Sequence, residues 1–103
     1  MNTRFVTIFL SLLTFSSAMA SPLSPADRDE IERSTFDACI KRQTPAPENA
    51  NIPAQVIKNF CSCVGELTAK GMSAEDAAYT KNSGDMRLML NATMAAYDMC
   101  RLR

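Results

Sequence analysis

Phe60-Cys61-Ser62-Cys63 sets two cysteines one residue apart, with Cys39 far upstream and Cys100 far downstream as the other cysteines of the chain. In an α-helix, successive residues turn by about 100°, so Cys61 and Cys63 leave the helix about 200° apart. A disulfide needs Cβ atoms about 3.8 Å apart that point together. Two cysteines on divergent flanks of one helix do not offer that, and each must find a distant partner. Of the three connectivities that four cysteines allow, the one joining Cys61 to Cys63 and Cys39 to Cys100 is therefore disfavoured. Two stay open: Cys39–Cys61 with Cys63–Cys100, or Cys39–Cys63 with Cys61–Cys100. Either one ties a central helix to an element on each side.

The segments around this pair read as helices. Ser24-Pro25-Ala26-Asp27 opens the first, with a Ser N-cap, Pro at the first helical position and early acids near the positive end of the helix dipole. Its first half is almost all charge, and the apolar cluster Phe36, Cys39 and Ile40 begins later, so the C-terminal half is the expected anchor. Thr44 to Asn51, with two prolines and two asparagines, reads as a loop. Ile52-Pro53 restarts a helix running to about Lys70, where Val56, Ile57, Phe60, Val64 and Leu67 make one apolar stripe and Gly71 is a natural stop. Ser73 caps a short helix through about Lys81, and Asn82-Ser83-Gly84 ends it. The last helix, from Asp85 to about Leu102, is apolar around most of its circumference. Its polar side, Arg87, Asn91 and Asp98, is narrow. Such a helix is either central to the fold or offers an apolar face to a partner. The fold class expected is all-α: a small disulfide-stapled bundle of three main helices plus one short helix.

Residues 1–20 read as a secretory signal peptide, with Arg4 as the positive n-region, Phe5 to Phe15 as the apolar core and Ala18-Met19-Ala20 as a small-x-small cleavage site. The apolar run is short of the roughly 20 residues that cross a bilayer, so no stable membrane insertion is expected once the leader is removed. Residues 21–103 are then expected to form a single helical domain with two disulfides. Export into an oxidising compartment, periplasmic or extracellular, is the setting in which an even set of cysteines serves as staples. The formal net charge of the whole chain is zero, and losing Arg4 leaves −1. A near-neutral chain argues against nucleic acid as a partner.

The chain has no histidine, which removes the commonest general base and metal ligand together. Its glycines, at 65, 71 and 84, form no phosphate-binding loop. No catalytic residue, metal site or cofactor is therefore expected, and the protein is read as a non-enzyme. The first functional expectation is a periplasmic or secreted protein that binds another protein through the last helix, at Leu88, Ala95 and Met99, on the flank away from Met86, Met89 and Tyr97. A second is a thiol-redox or copper-handling protein using Cys61 and Cys63, with Met86, Met89, Met94 and Met99 as thioether donors. A third, similar in size and class to small exported proteins, is a periplasmic immunity protein or a stress chaperone that uncovers the last helix in acid.

Overall fold

The computed structural model describes residues 20–102, so the expected leader lies outside the described residues apart from Ala20. The chain forms four α-helices: α1 (Pro25–Gln43), α2 (Ala54–Lys70), α3 (Ala74–Ser83) and α4 (Arg87–Arg101). A 3-10 turn, Pro47–Asn49, interrupts the α1–α2 connection. No strand occurs among the described residues. The expected all-α bundle, with α1, α2 and α4 as the main helices and α3 as the short one, is what the structure shows.

The helix ends follow local chemistry. Ser24 Oγ accepts the Asp27 N–H at 3.2 Å, and Pro25 follows it at a position where a missing N–H costs nothing. Ser73 and Asp76 satisfy each other's backbone N–H groups at 3.1 and 3.0 Å, a complete capping box for α3. Gly84 ends α3 with φ +73°, a left-handed conformation that a side chain resists. α4 begins two residues later than expected. Asp85 stays outside the helix, accepting the Arg87 N–H at 3.0 Å and pairing with its guanidinium at 2.7 Å. In the connection after α1, Asn49 Nδ2 donates to the Gln43 carbonyl at 2.9 Å and folds the loop back on the helix end.

α2 is the spine. Cys39–Cys61 bolts α1 to one flank, with Cα atoms 5.5 Å apart, and Cys63–Cys100 bolts α4 to the other at 5.9 Å. Both separations are ordinary for a disulfide, and of the two open connectivities this is the first. Gly65 lies against the Glu32 carbonyl, so closely that an added Cβ would stand 2.8 Å from that oxygen. The pairs 39/61 and 32/65 make α1 antiparallel to α2. Gly71 faces Ala92, whose Cβ would stand 3.5 Å from a Cβ added at the glycine, and together with the Cys63–Cys100 bridge this makes α4 antiparallel to α2 as well. Thus α1 and α4 flank α2 and run in the same direction.

Two apolar clusters fill the interior. Around the staples, Cys39, Ile57, Cys61, Val64, Ala96 and Cys100 are buried, and Phe60 meets Tyr97 edge to face at 5.4 Å. At the other end Leu23, Ile31, Ala69, Met72 and Ala77 pack together. The second cluster corrects the expectation for α1: its charged N-terminal half is anchored too, through Ile31, because α3 and the segment before α1 fold over it. One member of the expected α2 stripe also fails. Val56 is exposed, since it sits in the first turn beside the loop, and the small residues Gly65, Thr68 and Ala69 complete the buried face instead.

Candidate functional site

α4 contacts α2 with one face only. Cys100 fixes which face, since its bridge must cross to α2, and Ala96, one turn earlier, is buried beside it. Met89, Ala92 and Tyr97 are half-buried against the two clusters. The rest of this apolar helix looks outward. At about 100° per residue, Leu88, Ala95 and Met99 fall within a strip about 40° wide, and all three are exposed, Met99 to 56%. The terminal Leu102 continues the strip and is almost fully exposed.

A second apolar line runs along the other flank. Met86, Leu90 and Met94, at four-residue spacing, are 46%, 55% and 67% exposed. Arg87, Asn91 and Asp98 form the polar seam between the two lines. Sequence reasoning placed Met86 on the flank away from Leu88, Ala95 and Met99, named Met94 only as a thioether donor and did not single out Leu90. The signal was present in Cys100, whose cross-helix bond centres the buried face on Met89 and Ala96 and leaves both flanks outside. Away from α4, Ile52 and Val56 are also exposed, and with Phe60 and Arg101 they line a shallow hollow at the start of α2.

Several charged groups are engaged in holding the fold together. Lys81 of α3 donates to Asp27 of α1 at 2.6 Å and lies 3.9 Å from Glu30. That hydrogen bond holds the Asp27 carboxyl below the ordinary carboxylate range and raises the Lys81 ammonium above its own. Asp85 is lowered by its hydrogen bonds from the Arg87 guanidinium and N–H, with Tyr79 donating to it at 3.2 Å. Glu75 is lowered by the peptide N–H groups of Glu75 itself and of Ser21, the latter at 3.2 Å. The acids at the start of α1 do not converge on a cleft with a base; Asp29 and Glu32 share an open hollow with Arg33 and Glu66.

All four cysteines are bridged, and Cys39, Cys61 and Cys100 are buried. Among the described residues no three His, Cys, Asp or Glu side chains gather as a metal-holding group. Met86 and Met94 lie on one flank of α4 and Met99 on the other, so the structure does not bring the four thioethers of the copper reading to one place. The chain matches no protein-family model, and no curated protein or solved structure matches it.

Proposed function

We propose that this chain is an exported, non-catalytic helical scaffold that binds another protein through the apolar outer surface of α4. The observation that carries the reading is the strip Leu88, Ala95, Met99 and Leu102, exposed on a helix already bolted in place by Cys63–Cys100. Exposed apolar side chains in a continuous row, rimmed by charge, mark interaction surfaces more often than scattered ones do. A rigid helix presenting them loses little further conformational freedom when it docks.

Two disulfides suit an oxidising compartment, and no helix among the described residues is long and apolar enough to cross a membrane. The leader reading fits the start of the fold. Cleavage after Ala20 turns the Ser21 N–H, 3.2 Å from Glu75 Oε2, into an ammonium facing a carboxylate, and buried Leu23 holds that terminus in place. A toxin-neutralising immunity protein or a stress chaperone would be particular forms of this reading. Thiol-redox or copper chemistry is the less favoured alternative, because Cys61 and Cys63 are each committed to a separate bridge.

The test is cross-linked pull-down from the native compartment with wild type, Leu88→Asp and Met99→Asp, using Gln55→Asp on α2 as the control. Both α4 positions are exposed, so the variants are expected to melt like wild type. A partner retained by wild type and the control but lost from both α4 variants supports the proposal. Retention by all four, or turnover of a substrate by the purified protein alone, contradicts it.

A further inference from the structure

α1 and α4 flank α2 without closing on each other, and α3 covers only one end of the cleft between them, where Met72 and Ala77 meet Ile31 and Met89. Beyond α3 the cleft continues as an unfilled groove of about 440 Å³, lined by Thr35, Ala38, Arg42, Met86, Leu90 and Tyr97 among others. That volume lies in the range of about 300–1,000 Å³ usual for small-molecule sites. Its walls are mostly apolar, as such sites are, with few polar groups to fix orientation.

Two of those polar groups lack partners. Arg42 is the one charged residue lining the groove, and it forms no ion pair with a described residue. Thr35 is 5% exposed, and its Oγ1 is buried with no hydrogen-bond partner. Thr hydroxyls in helices commonly donate to the carbonyl four residues back, as Thr68 and Thr93 do here at 2.7 and 2.8 Å. Thr35 does not, so reaching a ligand from this position takes a χ1 rotation that exchanges hydroxyl and methyl. Arg42 lies two helical turns further along α1, about 10 Å at 1.5 Å per residue. Since α1 and α4 run in the same direction, Arg42 and Tyr97 stand toward one end of the groove and Met86 toward the other.

We propose that this groove binds a single-chain amphiphile with an anionic head: the head on the Arg42 guanidinium, the chain between α1 and the Met86, Met89 and Leu90 side chains, and an oxygen along the chain satisfied by Thr35. Guanidinium suits carboxylate and phosphate because its planar donors meet two oxygens at once. Methionine suits a flexible chain because its thioether adapts to the surface it meets. This site is on the opposite flank of α4 from Leu88 and Met99 and stands independently of the protein-binding reading.

The experiment is a methyl NMR titration of the leader-free protein, below micellar concentration, with decanoate, ω-hydroxydecanoate, decyl phosphate and decyltrimethylammonium. Saturable shifts at the Met86 and Met89 methyls and the Tyr97 ring are expected with the anions. The tighter of decanoate and decyl phosphate tells a free acid from a phosphate-headed lipid. Arg42→Gln should weaken the anions about fivefold or more, in line with loss of a charge-assisted contact. ω-Hydroxydecanoate should bind a few-fold tighter than decanoate, and Thr35→Val should erase that difference while leaving decanoate unchanged. Equal binding of the cationic and anionic probes, insensitivity to Arg42→Gln, or shifts confined to Leu88 and Met99 would each overturn the proposal.

Discussion

A hydroxyl sealed inside a protein without a partner costs about 1–3 kcal/mol, and Thr35 Oγ1 is so placed. Thr35→Val keeps the shape and removes the polar atom, so it should raise stability by about 1 kcal/mol, measured by urea unfolding with an unchanged slope. A loss of stability would mean that the hydroxyl is satisfied in solution. Thr68 is the internal contrast: its hydroxyl is fully buried but donates to Val64 O at 2.7 Å, and its replacement by Val should not stabilise. Gly65 is constrained from outside its own helix, since an added Cβ would meet the Glu32 carbonyl oxygen at 2.8 Å. Backbone cannot yield as a side-chain tip can, so Gly65→Ala should cost about 1–3 kcal/mol despite better helix propensity, read as a lower melting temperature. Neither position could be picked out from the sequence. Caps such as Ser24 and Ser73 were legible because the atoms they satisfy lie within three residues, whereas the neighbours of Thr35 and Gly65 belong to other helices.

Among the elements, α3 is the one without a disulfide. It is held by Met72 and Ala77 in the second cluster, by Ala74 N–H to the Ser21 carbonyl at 2.8 Å, and by Lys81 to Asp27. Asp27, Glu75 and Asp85 all have lowered pKa values. Carboxylates lowered by folding contribute stability that is present above their unfolded pKa values, near 4, and lost as pH falls through the folded ones. Lys81, raised by Asp27, contributes below its unfolded value of about 10.4 and ceases to as pH rises through the folded one. With no histidine to titrate between, stability should be flat from about pH 5 to 7 and decline below about pH 4. Amide exchange should show α3 loosening first, and Asp27→Asn should remove part of the acid dependence. A transition centred near pH 6 would contradict this. For α4, the sequence announced excess apolar surface and the flank of Leu88, Ala95 and Met99, but not the second exposed line. The narrow polar side proved to be a seam between two exposed lines, because α2 is the spine and α4 an outer helix.

Over the whole molecule, the expected fold class was legible because the even cysteine count, helix punctuation and the Cys-x-Cys spacing all agree. What the spacing could not choose was the connectivity. Both arrangements put one bridge on each flank of α2, and the choice depends on which flank of α2 the Pro47–Asn49 turn lays against α1. Three half-cystines sit among the buried apolar residues, so the bridges are part of the core as well as its staples. In a domain of this size burial and chain entropy nearly cancel. Cys39→Ser or Cys100→Ser should therefore cost about 2–5 kcal/mol, freeing Cys61 in the first case and Cys63 in the second. The account rests on α2 being bolted on both sides, since only then are the α4 surface and the groove beside it held open. Partial reduction of the purified protein, stepwise alkylation and fragmentation between Cys61 and Ser62 tests that most directly. The account predicts Cys39 bonded to Cys61 and Cys63 bonded to Cys100. A Cys61–Cys63 bridge, or the crossed pairing, would contradict it.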